Sequence, residues 1–285
     1  MNEDQIIARA ERDVVARQLA AAERRWGGPW RWLLPSLVLA VLLAFLAAPA
    51  PLSHKLLLAM GGVCGLRPAH SYFVGGVQLP LEARMTGIYG GALLTFVVLV
   101  ACRRLGMRRL GSSFVISTLV VFFMSMALDG LNSTLTDLGL AHLYMSTNGT
   151  RLLTGLLSGI AIAPLLLWLL GVVATPREPD VSRAVVRSPW ELIVPLAINA
   201  IFAALVLDGR AVFYYPIALV SIVGVVGVLT IVALLVILAI SGLSGRVTHV
   251  WQIIAPGALA LLVAFAVLAA TATARWTFIA SLAGQ

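Results

Sequence analysis

Seven long apolar runs dominate the chain, and a short polar stretch separates each run from the next. The runs cover residues 32–50, 87–102, 114–128, 152–173, 190–207, 211–240 and 250–271. Roughly 20 apolar residues cross the hydrocarbon of a bilayer as one helix, because the helix satisfies every backbone N–H and C=O group internally. The pattern therefore predicts an all-α, polytopic helical membrane protein with about seven transmembrane helices.

Three of the runs depart from the ideal length for a membrane span. The second and third runs are short, so we expect their helices to extend into the polar residues beside them. The sixth run is longer than a bilayer requires, so its helix is expected to tilt or bend. Gly224 and Gly227 are the positions where such a bend would be easiest.

The composition agrees with a membrane protein. Apolar residues make up 60% of the chain and charged residues only 11%. The mean hydropathy is +0.99. A soluble domain carries about 25% charged residues, so this chain has too few to cover a surface exposed to water.

The basic residues are divided unevenly between the two ends of the predicted bundle. If seven helices alternate in direction, fourteen of the 20 Lys and Arg residues lie on the side of the amino terminus. Cytoplasmic loops are enriched in Lys and Arg, so we expect the amino terminus in the cytoplasm and the carboxyl terminus outside. The net charge of +8 is thus a topology signal, and arginines scattered through short loops do not indicate a nucleic-acid partner.

The only substantial polar segment lies at the amino terminus, and we assign residues 1–27 to it. Its apolar residues, among them Ile7, Ala10 and Val14, recur at helical spacing between acidic and basic neighbours. This pattern predicts a cytoplasmic amphipathic helix that lies on the membrane surface or packs on a partner. A solvated helix with ion pairs along its surface fits equally well. Residues 28–285 then form a single transmembrane domain.

Two stretches, at residues 58–90 and 128–155, concentrate polar side chains that solubility alone does not explain. The first contains Cys64-Gly-Leu-Arg-Pro-Ala-His-Ser71 and Glu82-Ala-Arg-Met-Thr-Gly-Ile-Tyr89. The second contains Leu128-Asp-Gly130 and Thr147-Asn-Gly-Thr-Arg151. Both stretches are predicted on the outer side of the membrane, around the second span and the connection between the third and fourth spans. We therefore expect them to meet.

In these motifs the chain resembles the bacterial membrane-protein family known as domain of unknown function 2085. Members of that family carry the elements C-H-Q-x-P-x-R-S, C-A-R-C-T-G-I-Y, L-D-G and T-N-x-x-R. The resemblance covers about residues 58–160. It implies a multi-pass protein of the bacterial inner membrane, and it implies no activity, since none is established for the family.

The chain departs from the family pattern at the positions best suited to bind a metal. The family's His, Gln, two Cys and Arg are replaced, in that order, by Gly65, Leu66, Glu82, Met85 and His70. A Cys-His element with a C-x-x-C pair would suit zinc or a redox metal, but of these ligands the chain keeps only Cys64. We therefore predict neither a metal site nor a cofactor.

Charged and amide side chains at the ends of the second, third and fourth spans support a sharper hypothesis. Charged groups near hydrocarbon are costly unless they are paired or face an aqueous cavity. We predict an outward-facing polar pocket for an anionic lipid headgroup or a small solute, formed by Arg67, His70, Glu82, Arg84, Asp129, Asn132, Asn148 and Arg151. In this pocket Asp129 should hold at least one arginine. The alternative is that these residues form ion pairs at helix ends and set only packing and depth.

Small residues recur at every fourth position in two of the spans. Ala83, Gly87 and Gly91 do so in the second span, and Gly155 and Gly159 do so in the fourth. Such stripes let helix backbones approach closely in a membrane, so they predict two tightly packed helices rather than a ligand cradle.

Three classes of function remain. Non-catalytic binding or passage of a small solute or lipid leads. The alternative is an accessory or scaffold subunit that binds another membrane protein or a second copy of itself, and a metal-dependent membrane enzyme is third. No nucleotide-binding motif or nucleophilic triad is evident, and the last three spans lack internal charges of the kind a proton-driven transporter uses. We therefore assign no catalytic residue.

Overall fold

The fold is that of a computed structural model. The structure describes residues 28–176, 184–247 and 249–283, together with Gln5, Arg9, Asp13, Val14, Ala16, Arg17, Ala20 and Trp26. Most of the amino-terminal segment predicted as an amphipathic helix lies outside the described residues. Two arginines counted in the charge asymmetry of the loops, Arg177 and Arg183, lie outside them as well.

Eight α-helices account for most of the described residues. They are α1 (Trp30–Ala47), α2 (Leu52–Met60), α3 (Ala83–Ala101), α4 (Ser113–Asp137), α5 (Asn148–Ala174), α6 (Ile193–Asp208), α7 (Tyr214–Ile240) and α8 (Trp251–Ala283). Short 3₁₀ helices occupy Pro68–His70, Pro189–Leu192 and Ala211–Phe213. Strands β1 (Phe73–Val74) and β2 (Val77–Gln78) form an antiparallel hairpin. The Gly75-Gly76 turn between them has positive φ at both residues, which glycine adopts without strain.

When the 3₁₀ helices that precede α6 and α7 are included, every helix except α2 is long and apolar enough to cross a membrane, which makes seven candidate spans in the described chain. The all-α polytopic prediction is thereby confirmed. The second and third spans do extend into polar residues, since α3 begins at Ala83 and α4 continues past residue 128 to Asp137. Helix α2 was not predicted, because its 9 residues are too few to cross a bilayer.

The spans alternate in direction and so divide the bundle into two ends. One of them, called the signature end below, gathers residues 48–82, 138–147 and 209–213. There Gly75 N donates to Gly209 O at 2.8 Å, and Trp276 Nε1 donates to Leu58 O at 3.0 Å. The two polar stretches of the sequence therefore meet, although much of each is helical.

The opposite end, called the basic end below, gathers residues 102–112, 184–192, 241–247 and 249–250. Two backbone contacts hold these segments together: Val186 N donates to Leu110 O at 3.0 Å, and Val247 N donates to Ala174 O at 2.9 Å. The alternation on which the count of basic residues depends is thus present. Which end faces the cytoplasm stays a prediction.

Helices α3 and α5 make the most extensive contact in the bundle. Cβ atoms added at Gly87, Gly155 and Gly159 would each lie 2.4–2.5 Å from a backbone oxygen of the facing helix. The two backbones touch directly there, so no side chain fits at these positions. The prediction of two tightly packed helices is confirmed. Gly224 of α7 meets α3 in the same way, with its added Cβ only 2.0 Å from Tyr89 O.

Candidate functional site

Asp129 joins three helices and a loop at the signature end. It lies on α4 and is 1% exposed. Its Oδ2 accepts a hydrogen bond from Arg84 Nη2 in the first turn of α3 at 2.6 Å. Its Oδ1 accepts a hydrogen bond from the hydroxyl of Tyr144, in the loop between α4 and α5, at 2.7 Å. The hydroxyl oxygen of Thr154 on α5 lies 3.3 Å from Oδ2.

These contacts explain how a charged group is tolerated in this buried position. A buried carboxylate is costly unless it is both paired and hydrogen-bonded, and Asp129 is both. The expected bond between Asp129 and an arginine is therefore present, with Arg84 as the partner. Arg151, the other candidate partner, makes its contacts elsewhere.

A second cluster surrounds Asp137, the last residue of α4. Its carboxylate lies 3.0 Å from Nη1 of Arg67, 3.5 Å from Nε2 of His70 and 3.9 Å from Nη2 of Arg151. The cluster thus brings together the first polar stretch, the end of α4 and the start of α5. Asp137 was not among the predicted site residues.

Arg151 and Asn148 connect the first turn of α5 to their surroundings. The guanidinium of Arg151 donates to Ser133 Oγ at 2.9 and 3.2 Å and to Asn148 Oδ1 at 3.2 Å. Asn148 in turn donates from Nδ2 to the carbonyl oxygens of Ala69 and Ser71. Because Arg151 is 6% exposed and bonded on several sides, it holds the cluster together rather than offering a free charge.

Glu82, the residue before α3, fixes Arg67 in place. Its Oε1 accepts a hydrogen bond from Arg67 N at 2.9 Å and lies 3.5 Å from Arg67 Nε. A Cβ added at Gly65 would lie 2.8 Å from the same oxygen. Two departures from the family pattern, a glycine for His and a glutamate for Cys, are therefore adjacent in space, because the Glu82 carboxylate occupies room that a side chain at position 65 would need.

Asn132 has a different role from the other predicted residues. Its Oδ1 accepts a hydrogen bond from Leu143 N at 2.7 Å, and its Nδ2 donates to Tyr144 O at 2.8 Å. It is 3% exposed. Asn132 therefore fixes the loop that carries Tyr144, and it contributes to the Asp129 cluster only through that loop.

Arg275 closes the signature end from α8. Its guanidinium donates to the carbonyl oxygens of Gly61, Cys64 and Gly65 in the turn after α2. Sequence reasoning placed Arg275 on this side of the membrane but gave it no contact.

The pKa values of Tyr144 and His70 are shifted by this environment. Burial raises the pKa of Tyr144 to about 12, and the hydrogen bond to the Asp129 carboxylate adds to the shift. Burial lowers the pKa of His70 below its usual value, and the nearby charges of Arg151 and Arg67 lower it further. Tyr144 is therefore a neutral donor at pH 7, and His70 is uncharged there.

All eight predicted residues lie at the signature end, and seven of them fall into two groups. Arg84 and Asp129 form the first group. In the second, Arg67, His70 and Arg151 lie around Asp137, with Glu82 bonded to Arg67 and Asn148 to Arg151. Asn132 belongs to neither group and fixes the loop that carries Tyr144. Sequence reasoning missed Asp137, Tyr144 and Ser133. A signal for Asp137 existed, because it lies eight residues after Asp129 and so on the same face of one helix. Tyr144 lies in an irregular loop, where no spacing rule identifies it.

Within the described ranges, no three His, Cys, Asp or Glu side chains come close enough together to hold a metal ion. Cys64 and Cys102 are both free thiols. The chemistry that the site offers is therefore hydrogen bonding and charge, from arginine, carboxylate, amide and hydroxyl groups.

Residues 64–165 match the family described as predicted membrane protein (DUF2085). The match runs from Cys64 through α3 and α4 into α5, so it contains both clusters, and it confirms the resemblance seen in the motifs. Neither the curated proteins nor the solved structures include a match to the chain. The family description gives a membrane location and no activity.

Proposed function

We propose that this membrane protein binds a small anionic group at the signature end, without catalysing a reaction on it. The observation that carries the proposal is the Arg67 guanidinium. Contacts with Glu82 and Asp137 hold it in place, yet its side chain is 57% exposed. A fixed, planar guanidinium suits a carboxylate or phosphate, because it offers parallel donors and loses little side-chain entropy on binding.

The local charge also favours an anion. Among the described side chains at this end, basic residues outnumber carboxylates by six to four. The basic residues are Lys55, Arg67, Arg84, Arg151, Arg210 and Arg275, and the carboxylates are Glu82, Asp129, Asp137 and Asp208. Each of the four carboxylates already contacts an arginine. Two positive charges are left over, and a positive polar surface attracts anions.

A donor in the Asp129 cluster lacks an acceptor. Arg84 Nε is buried and has no hydrogen-bond partner among the residues described. Buried donors are rarely left without one, so an oxygen from a ligand or a water molecule fits beside it. Asp129 and Arg151 act as positioning residues in this proposal. Asp129 holds Arg84, and Arg151 lies 3.9 Å from the Asp137 carboxylate that also contacts Arg67.

The ligand is either the headgroup of an anionic lipid or an acidic solute, because both present the same oxygen atoms. We infer that the signature end faces outward from a bacterial inner membrane and that the amino terminus is cytoplasmic. The support is the excess of Lys and Arg on the side of the amino terminus, fourteen residues against six.

The test compares the full-length chain in nanodiscs of phosphatidylcholine with and without phosphatidylglycerol, and separately with added inorganic phosphate. We expect the anion to raise the melting temperature. The Arg67→Gln variant should bind about tenfold or more weakly, since it loses a charge-assisted bond. Arg210→Gln is the matched control, because Arg210 is also at this end and its side chain is 69% exposed.

Stabilisation by phosphatidylglycerol alone would identify a lipid ligand, and stabilisation by phosphate alone would identify a solute. The proposal is wrong if the wild type responds to neither probe, or if Arg67→Gln and Arg210→Gln respond as the wild type does. A partner protein that co-purifies with all three forms, in the absence of any anion effect, would favour the scaffold alternative.

A further inference from the structure

We propose a second binding site, at the basic end, for one anionic phospholipid. A groove between α4 and α5 takes an acyl chain, and Arg109 and Arg187 contact the headgroup. This site is separate from the one proposed above and does not depend on it.

The groove has a volume of about 300 Å³ and is lined only by apolar side chains. Leu119 and Ala161, which are 5% and 6% exposed, lie deep within it. Val120 and Phe123 of α4 are 53% and 45% exposed, so the groove opens on the outside of the bundle, where acyl chains surround a membrane protein. Its shape and chemistry therefore fit a hydrocarbon chain.

One end of the groove reaches a pair of exposed arginines. Leu110 lines the groove and is directly preceded by Arg109. Val186 N donates to Leu110 O at 3.0 Å, and Arg187 follows Val186, so both arginines lie beside this end. Within the part of the chain that the structure describes, neither guanidinium is hydrogen-bonded or paired with a carboxylate.

The arginines decide which lipid is preferred. Hydrocarbon tails are as apolar as leucine, so the groove alone gives shape without selectivity among lipids. Arginines near the membrane surface attract anionic headgroups over zwitterionic ones. A smaller cavity of about 100 Å³ between α3, α5 and α7 is equally apolar. None of its lining residues is next to a charged residue in the sequence, so it offers no contact for a headgroup.

The full-length protein is extracted from mixed phosphatidylglycerol and phosphatidylcholine membranes and delipidated. Native mass spectrometry then identifies the lipids that remain bound. We expect the wild type to retain phosphatidylglycerol preferentially. Each of Arg109→Gln and Arg187→Gln should lower this preference roughly fivefold, since one arginine near the surface contributes about that factor. Arg210→Gln removes the same charge at the signature end and should leave this preference unchanged.

Filling the groove tests the acyl-chain contact independently of charge. Ala161→Phe should reduce retention of both lipids, and Val120→Trp, at an exposed position, does the same if Ala161→Phe fails to fold. The proposal is overturned if the wild type shows no preference, or if Arg210→Gln changes it as much as Arg109→Gln does. It is also overturned if Val120→Trp releases a bound protein chain instead of a lipid.

Discussion

A carboxylate buried at the end of a membrane span is stable only as long as its partners remain. Asp129 has an arginine and a tyrosine hydroxyl as hydrogen-bond partners, from two other segments of the chain. Removing one member of this set leaves a charge or donor without its partner in a buried site, which is strongly destabilising. The Asp129 cluster is therefore first a structural feature, and its contribution to binding comes through the arginine that it positions.

The pair formed by Arg84 and Asp129 should be strongly coupled. We expect Asp129→Asn and Arg84→Gln each to lower the free energy of unfolding by roughly 3–5 kcal/mol, and the double variant to lose much less than the sum. Chemical unfolding in detergent micelles measures all three. The exposed pair of Arg210 and Asp208 is the control, for which roughly 0–1 kcal/mol is expected. Near-neutral, additive effects at Asp129 and Arg84 would mean that they are separate interfacial charges.

Tyr144 should make the protein sensitive to alkali. Its pKa is raised from 10.0 to about 12 in the folded state, so the unfolded chain loses this proton first. Its contribution to stability is therefore complete below pH 10 and is lost as the pH rises through 12. Melting temperatures between pH 9 and 12 should fall less steeply for Tyr144→Phe than for the wild type. Parallel curves would show that the bond to Asp129 does not form in solution.

At the scale of elements, the apolar runs predicted every span, and α4 extends beyond its run as expected. A hydropathy run ends at the first charge, whereas the helix ends where its backbone can turn. That place is Gly139, whose φ is +68°, just after Asp137. Helix α4 is therefore long enough to carry both Asp129 and Asp137 to the signature end.

The contact between Arg67 and Asp137 could not be predicted from the sequence. Arg67 and Asp137 are 70 residues apart, and their contact depends on how a short hairpin and a 3₁₀ helix place the first polar stretch over α4. Neither element has a periodic pattern to predict it. The glycine stripes, by contrast, were predictable because close packing in lipid requires small residues at one fixed spacing.

The crossing of α3 and α5 should tolerate no side chain at its glycines. We expect Gly155→Leu to prevent stable folding or to lower the melting temperature sharply, because an added Cβ would already lie 2.4 Å from Arg84 O. Gly227→Ala is the matched control, since nothing lies within 4 Å of an added Cβ there. It should be neutral or stabilising by up to about 1 kcal/mol. Equal effects of the two substitutions would contradict the described contact.

At the scale of the whole molecule, the two ends should be distinguishable from opposite sides of the membrane. Single-cysteine variants Arg109→Cys and Arg210→Cys, with Cys64 and Cys102 replaced by serine, place one thiol at each end. We expect a membrane-impermeant maleimide to label Arg210→Cys in intact cells and Arg109→Cys only in inverted vesicles. The reverse result would invert the proposed orientation while leaving the fold unchanged.

The contacts of Arg275 have a consequence for biosynthesis. Helix α8 follows the six other spans of the described chain, yet its Arg275 and Trp276 bond to carbonyl oxygens in α2 and in the turn after it. During synthesis these carbonyl oxygens leave the ribosome early. Their donors become available only after α8 has been synthesised. The nascent turn must therefore remain hydrated while the intervening spans insert, and the signature end is completed last although its first residues are made near the beginning.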